Sequence, residues 1–226
     1  MSIDPLHSAI QPYSALVLGS TGNVGRQIVN LLAASPAVRQ VLVVNRRQTD
    51  EFKGMPKVRE VVVPDMDKLA EAAEHAARES GATVGFCAIG VGKGSQKMPE
   101  AEVRKIEVQY PEAFAKGCKA GGVLSLGLMT AAGSDIKSSF AYARIIGEKE
   151  KAMSVVGIPA LGIYKPSVIF GNSNTPSYLR CVRLTRMTHG RPLVRPWHLP
   201  IDLRRALHRS MPMKAIRAAG MLRRSG

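Results

Sequence analysis

The chain has 226 residues, of which 45% are hydrophobic and 22% are charged, the ordinary composition of a globular protein with a full core. No apolar run approaches the roughly 18 residues of a membrane-spanning helix, so no span is expected. The cysteines Cys87, Cys118 and Cys181 are scattered and lack CxxC or CxxH spacing, which indicates reduced thiols and no metal site.

Positive charge is concentrated towards the C-terminal end. The formal net charge is +15, and residues 180–226 hold twelve arginines and lysines against a single acid, Asp202. Such a segment can dock a protein partner or complex, an anionic membrane surface or nucleic acid. Nucleic acid is possible but not favoured, because no nucleic-acid-binding motif is legible. A solvated basic surface without a dedicated partner is the alternative.

Apolar β-type runs alternate with helical patterns along most of the chain. Two runs, VLVV and EVVV, are continuous, which is typical of strands covered on both faces. The alternation predicts an α/β fold, a doubly wound parallel Rossmann sheet with right-handed crossovers. The predicted strands are 14–18, 40–45, 58–63, 83–89, 122–128 and 159–164, and the predicted helices are 23–34, 66–79, about 100–120 with a start or kink at Pro111, and 139–156.

We predict three parts: an N-terminal lead (1–13), an NAD(P)-binding Rossmann domain (14–171) and a small basic C-terminal region (172–226). The lead has neither a secretory signal nor the basic character of an ordinary transit peptide. A cytoplasmic protein is therefore expected, with a mitochondrial location left open. Beyond the Rossmann domain, strand patterns stop and prolines break the sequence, which predicts a mostly helical appendage with helices near 177–187, 202–209 and 213–222.

A glycine-rich turn joins the first predicted strand to the first predicted helix, in the run SALVLGSTGNVGRQIV. Strand, tight turn and helix form the context that a dinucleotide-binding fingerprint requires. Glycines let the backbone approach a pyrophosphate, and the N–H groups of the first helical turn point at its charge. The alternative is a tight turn that binds nothing. The candidate cofactor-binding residues here are Gly19, Ser20, Thr21, Gly22, Asn23, Val24 and Gly25.

The residues after the second strand favour the phosphorylated cofactor. In an NAD-specific unit an acid at this place holds the ribose 2′-OH, whereas this chain has Asn45, Arg46 and Arg47. Two guanidinium groups suit a 2′-phosphate, so NADP is expected rather than NAD. Asp65, after the third strand, is placed either to touch the adenine edge or to cap a helix. Gly90, after the fourth strand, would let the adenosine half lie close to the backbone.

Four segments together resemble a known superfamily: GSTGNVG (19–25), VGFCAIGVGKG (84–94), DIKSSFAYARIIGEKE (135–150) and YKPSVIFG (164–171). The chain resembles the short-chain dehydrogenase/reductase superfamily, and more narrowly its atypical, Tat-interacting-protein-like oxidoreductases. The likeness covers about residues 14–171. It implies that the last segment passes beside the nicotinamide, which makes Pro166 a candidate cofactor-binding residue.

The resemblance also implies a catalytic set consisting of a Ser or Thr, a Tyr, and a Lys four residues after the Tyr. Tyr142 fits the acid/base tyrosine. Thr130 fits the hydroxyl residue, with Ser125 and Ser134 as alternatives. The alternative for Tyr142 is a half-buried helical tyrosine that serves packing alone.

The expected lysine is absent, because Ile146 stands four residues after Tyr142. A phenol with an ordinary pKa near ~10 normally needs a neighbouring ammonium to lower it towards working pH. Lys149 lies two helical turns from the tyrosine, roughly 10 Å along the axis, and Lys165 could enter from the neighbouring strand. Glu107 occupies a place where extended members of the superfamily often carry Asn.

Two functions follow as hypotheses. In the first, the protein binds NADP(H) and transfers a hydride between NADPH and a small carbonyl compound, with Tyr142 as proton donor and Thr130 orienting the carbonyl oxygen. In the second, it is a catalytically impaired NADP(H)-binding assembly subunit that docks a larger complex through residues 180–226. Direct RNA binding is a weaker third hypothesis.

Overall fold

A computed structural model describes residues 12–166, which fold around a six-stranded, all-parallel sheet in the order β3-β2-β1-β4-β5-β6. This order is that of a doubly wound Rossmann sheet, so the predicted fold class is confirmed. The strands are β1 (Tyr13–Leu18), β2 (Val38–Asn45), β3 (Val58–Val62), β4 (Ala82–Cys87), β5 (Ser125–Met129) and β6 (Ala160–Tyr164). The helices are α1 (Asn23–Ala34), α2 (Leu69–Ser80), α3 (Glu100–Arg104), α4 (Tyr110–Ala120) and α5 (Ala141–Val156).

Alternating side chains of the central strands fill two separate cores. Leu16 and Leu18 of β1 point into a core that is shared with α2, α4 and α5. Ala15 and Val17 point to the opposite face, where they pack with residues of α1. All four side chains are at most 2% exposed. The sheet is therefore covered on both sides, and the carboxyl ends of β1 and β4 meet at the point where the strand order reverses.

The continuous run EVVV was read as a strand covered on both faces, and in the described residues this reading is wrong. The strand β3 pairs only with β2 and lies at the edge of the described sheet. Its residues are partly or fully exposed, and Val62 is 42% exposed. In contrast, VLVV of β2 is buried throughout, because β2 lies between β3 and β1. Hydropathy alone does not separate an edge strand from a central one.

The helix predicted at about 100–120 is divided into three segments. After α3, residues Lys105–Gln109 form a π-helical segment, and α4 then begins with Pro111 in its first turn. Proline has no N–H to donate, and here it lies directly after the π-helical segment, which ends with the Tyr110 N–H donating to the Lys105 carbonyl. The start predicted at Pro111 is therefore confirmed, and the π-helical segment was not predicted. Such segments are rare and occur frequently at functional sites.

Several predicted features lie outside the described residues. These are the lead apart from its last two residues, the domain boundary at residue 171, and the three helices of the basic C-terminal region. Within residues 12–166, no helix is both long enough and apolar enough to cross a membrane.

Candidate functional site

The glycine turn after β1 requires glycine at two places. Gly19 has a φ of +83°, and a Cβ there would lie 2.5 Å from the backbone nitrogen of Ile89. A Cβ on Gly25 would overlap the carbonyl oxygen of Gly19. The turn is closed by the Gly22 N–H, which donates to the Gly19 carbonyl at 3.2 Å. The backbone therefore forms a tight cradle between β1 and the loop after β4.

The first turn of α1 is open to an anion. Gly22 is the N-cap residue, no side chain caps the helix, and no acid lies in its first turn. The N–H groups at a helix N-terminus carry a partial positive charge and are satisfied by caps, water or ligands. The helix that follows the cradle therefore fits a phosphate group.

A buried polar group at the end of β2 lacks a partner. Asn45 is 8% exposed, and its Oδ1 accepts a hydrogen bond from the Ser20 hydroxyl at 2.7 Å. Its Nδ2 makes no hydrogen bond within the described structure. A buried donor without an acceptor is destabilising, and such groups usually have a functional explanation. Asn45 was recognised in the sequence only as the residue that replaces an acid.

Arg46 and Arg47 follow Asn45 and are both exposed. Arg26 of α1 forms an ion pair with Glu51 of the loop after β2, which brings a third guanidinium close to this loop. This pair connects the first helix to the loop that carries the two arginines. The roles of Arg46 and Arg47 towards a 2′-phosphate stay predictions.

Asp65 caps the helical segment that follows β3. Its Oδ1 accepts a hydrogen bond from the Asp67 N–H at 3.0 Å, at the start of a 3-10 turn that leads into α2. The capping alternative is therefore observed. The role at the adenine edge stays a prediction, since a carboxylate has a second oxygen.

A buried ion pair lies beneath the loop that follows β4. Glu107 of the π-helical segment and Lys149 of α5 are each 1% exposed, and the distance from Nζ to Oε2 is 3.2 Å. Lys149 also donates to the Ile89 carbonyl at 2.9 Å, and Glu107 Oε1 accepts from the Val91 N–H at 2.8 Å. The Glu107 carboxylate packs against Gly90, where a Cβ would lie 3.1 Å from Oε1. The pair therefore fixes the backbone of residues 89–91.

Tyr142 contacts the same carboxylate, and its hydroxyl donates to Glu107 Oε1 at 3.2 Å. Burial, together with the negative charge of Glu107 and this hydrogen bond, raises the pKa of Tyr142 above its ordinary value. Ile146, in the place of the expected lysine, is 2% exposed and apolar. The phenol thus faces a carboxylate where the resemblance implies an ammonium.

The other predicted residues of the catalytic set have partners of their own. The Thr130 hydroxyl donates to the Tyr164 carbonyl at 3.3 Å, at the ends of β5 and β6. Lys165 pairs with Glu150 at 2.6 Å and so does not serve Tyr142. Pro166 lies beside this strand end, where its carbonyl accepts from the Ala132 N–H at 3.0 Å. The roles of Thr130 and Pro166 stay predictions.

A small cleft of about 220 Å³ adjoins the phenol of Tyr142. Ligand pockets for drug-sized molecules are typically about 300–1,000 Å³, so this cleft fits a smaller molecule. Most of its lining is apolar. It is lined by Ser95, Met98, Glu100, Val103, Ala141, Tyr142 and Ile145.

Sequence reasoning missed that Glu107 and Lys149 belong together with Tyr142. Residues 142 and 149 are seven apart and so share one face of a helix, which was a usable signal. Glu107, which contacts both side chains, belongs to a different segment, and the spacing of residues along α5 does not predict it. The signal that could have identified Glu107 is a lone acid in the apolar pattern between α3 and α4.

These features fit a dinucleotide: a cradle that a Cβ would fill, an uncapped helix N-terminus, and a buried donor beside both. The described residues thus form a Rossmann fold with the features of a dinucleotide site, which agrees with the resemblance to the atypical short-chain dehydrogenases/reductases seen in the sequence. No protein-family model matches the chain.

Comparison with known proteins defines the family. The chain is 30% identical over 183 residues to protein FMP52-1, mitochondrial, of Scheffersomyces stipitis, which covers 80% of this chain and 79% of that protein. The chain belongs to the FMP52 family. It is also 28% identical over 161 residues to protein HTATIP2 of Rattus norvegicus, covering 71% of this chain and 64% of that protein. This second match agrees with the resemblance found in the sequence.

The fold recurs in solved structures at low sequence identity. The Bordetella bronchiseptica enzyme WbmG, in complex with NAD, matches with a TM-score of 0.56 and 17% identity. The match covers 67% of this chain and 52% of that enzyme, so the chain spans about half the length of the solved protein. This likeness concerns the fold alone.

Proposed function

We propose that the protein binds NADP(H) and reduces a small carbonyl compound. The observation that carries the first half is the buried Nδ2 of Asn45, which lacks a partner beside the glycine cradle. Gly19–Gly25 would approach the pyrophosphate, and Arg46 and Arg47 would bind the 2′-phosphate. The NAD complex of WbmG supports a nicotinamide cofactor in this fold.

When bound, the reduced nicotinamide supplies a hydride to a carbonyl carbon. The chain's own residues supply the rest of the chemistry. Tyr142, beside the small cleft, would give a proton to the carbonyl oxygen. Thr130 would orient the substrate oxygen after releasing its hydrogen bond to Tyr164.

Titration with NADPH, followed by the fluorescence of the cofactor and by the thermal shift of the protein, tests the binding. Saturation below millimolar cofactor is expected, and no saturation in that range would contradict the proposal. Turnover is then measured as loss of NADPH absorbance with a small aldehyde such as benzaldehyde. Activity that is unchanged in Tyr142→Phe would contradict the assignment of the proton donor.

Cofactor preference gives a second prediction. Changing Asn45→Asp places a carboxylate at the end of β2, where it can accept from a ribose 2′-OH and repels a 2′-phosphate. We expect the ratio of NADPH to NADH affinity to fall by about tenfold or more, since the hydrogen bond that the new carboxylate accepts from the 2′-OH of NADH is charge-assisted and worth about 1.5–3 kcal/mol. Kd values for both cofactors measure this ratio. Arg47→Ala should weaken NADPH alone, while Arg39→Ala, an arginine bonded to Ser80 away from the cradle, is the control.

The second candidate function is a catalytically impaired NADP(H)-binding subunit. The observation that favours it is the environment of Tyr142, where burial and Glu107 raise the phenol's pKa and Ile146 replaces the lysine. The basic residues 180–226 would then dock a larger partner. Deleting them should abolish co-migration with that partner and leave NADPH binding intact. An unchanged complex would count against this candidate.

A mitochondrial location is proposed together with this function. The FMP52-1 relative is named mitochondrial, and the cytoplasmic location predicted from the sequence receives no support from such names. Fractionation of cells that express the full chain tests the compartment.

A further inference from the structure

Packing alone does not explain why Glu107 and Lys149 form a buried ion pair. Both side chains are 1% exposed. Moving two charges out of water is so unfavourable that apolar residues in their place are often equally or more stable. Two apolar side chains would fill the same volume between α5 and the loop after β4. The charges therefore call for a chemical explanation.

The two oxygens of Glu107 have different partners. Oε2 contacts the Lys149 ammonium, whereas Oε1 accepts from the Val91 N–H and from the Tyr142 hydroxyl. The oxygen on the phenol side is thus the one that the ammonium does not contact. Tyr142 also lines the small cleft. The same residue therefore lines the cleft and also contacts a buried carboxylate.

We propose that Glu107 is the proton acceptor and donor behind Tyr142, so that the phenol passes a proton between a substrate oxygen in the cleft and Glu107 Oε1. The inference rests on the proposed reductase function and deepens it. Tyr142 is the catalytic residue that touches the substrate. Glu107 and Lys149 act through it.

The proton movements balance in both directions. Before reduction, a proton from water in the cleft reaches Glu107 Oε1 through the Tyr142 hydroxyl, which otherwise donates to this oxygen. In reduction that proton would return to the Tyr142 oxygen while the phenol's own proton moves to the carbonyl oxygen, whose carbon would receive the hydride that the bound cofactor supplies. The products are an alcohol, a neutral phenol and a carboxylate paired with Lys149. In alcohol oxidation the same bonds break and form in reverse. The phenol is neutral before and after.

This arrangement explains why the lysine four residues after Tyr142 is dispensable. That lysine would lower the pKa of the phenol, whereas burial and Glu107 raise it here. A shuttle needs no free phenolate, because the phenol gives one proton as it receives another. Lys149 and the Val91 N–H stabilise the carboxylate that reduction produces.

Few other charged groups surround the phenol in the described structure. Glu100 lines the cleft, but it is paired with Arg104 and Arg144, which lower its pKa. The Cys87 thiol of β4 lies within electrostatic reach of Lys149 and Glu107, and burial raises its pKa, so it stays neutral. Glu107 is the carboxylate hydrogen-bonded to the phenol.

The test compares Glu107→Gln with the wild-type chain. Glutamine keeps the shape and an acceptor oxygen, but it can neither take up nor release the proton. The control is Glu102→Gln, an exposed glutamate in α3. Tyrosinate absorbance is recorded as the pH is raised, with Tyr142→Phe subtracted to isolate the phenol of interest. Turnover of benzaldehyde with NADPH is recorded against pH on the same proteins.

We expect the wild-type phenol to ionise above the pH of free tyrosine, and Glu107→Gln to lower that pH because a negative charge is removed. An identical titration in both proteins would overturn the proposal. In turnover, wild-type reduction falls as the pH rises, and Glu107→Gln reduces the rate by about 10²-fold, the usual contribution of general acid–base catalysis. A rate and pH profile shared by both would also overturn it.

Failure of the proposed function has a different signature. In that case NADPH fails to bind, or binds without turnover, while Glu107→Gln still lowers the pH at which Tyr142 ionises. If Glu107→Gln does not fold because Lys149 is left unpaired, the double variant Glu107→Gln/Lys149→Met restores the charge balance. The same titration is then decisive in that variant.

Discussion

Replacing Gly19 by alanine is expected to lower the free energy of unfolding by several kcal/mol and to abolish measurable NADPH binding. A Cβ at this position would lie 2.5 Å from the Ile89 nitrogen and 2.6 Å from the Ala88 carbonyl carbon. Both atoms belong to backbone, which cannot rotate away as a side chain can. The left-handed φ of +83° adds about 1–2 kcal/mol. Urea denaturation and NADPH titration measure the two effects.

The variant Gly122→Ala measures the cost of a left-handed backbone conformation without the steric clash expected in Gly19→Ala. Gly122 has a φ of +91°, and a Cβ there would meet nothing within 4 Å. It lies before β5, in the connection from α4. We expect a loss of about 1–2 kcal/mol, with NADPH binding unchanged. Equal losses in the two variants would mean that the approach of β1 and β4 does not depend on glycine.

Lys149→Met is expected to lower the free energy of unfolding by about 3–5 kcal/mol, because it leaves the Glu107 carboxylate buried without its cation. The loop after β4 also loses the hydrogen bond to the Ile89 carbonyl. The midpoint and slope of urea denaturation measure the change. The double variant Lys149→Met/Glu107→Gln should recover most of the loss, since both charges are gone.

Lys151→Met is the matched control for this prediction. Lys151 lies two residues further along the same helix and is exposed, so its replacement should change stability by about 0.5 kcal/mol or less. If Lys149→Met and Lys151→Met unfold at the same urea concentration, the buried ion pair contributes nothing to stability. That result would also remove the argument that Lys149 stabilises the Glu107 carboxylate.

Most of the described fold could be predicted from local patterns. Strands such as β2 are short apolar runs with turn residues on either side, and α1 has an apolar stripe after a glycine turn, so each carries its own signal. The prediction that β3 is covered on both faces was wrong, because the residues of a strand do not determine whether it has one neighbouring strand or two. The π-helical segment was missed because its hydropathy resembles that of an α-helix.

The candidate site divides in the same way. The glycine cradle is local, so its residues and their proposed role in cofactor binding could both be predicted from the sequence. The role of Asn45 could be recognised only in the fold. There the hydroxyl of Ser20, 25 residues away, donates to Oδ1, and Nδ2 is left without a hydrogen-bond partner. Asp65 also needed it, since capping and adenine contact predict the same residue and only the fold shows the capping hydrogen bond from the Asp67 N–H.

By itself, the sequence determined the Rossmann fold, the glycine turn between β1 and α1, and the absence of a lysine four residues after Tyr142. Each depends on residues that are close along the chain. Only the tertiary structure decided what surrounds the phenol. Glu107 is 35 residues away and Lys149 is 60 residues from the Ile89 carbonyl that it contacts. The physical reason is that the sheet brings α5 and the π-helical segment against the loop after β4, and no local periodicity encodes that approach.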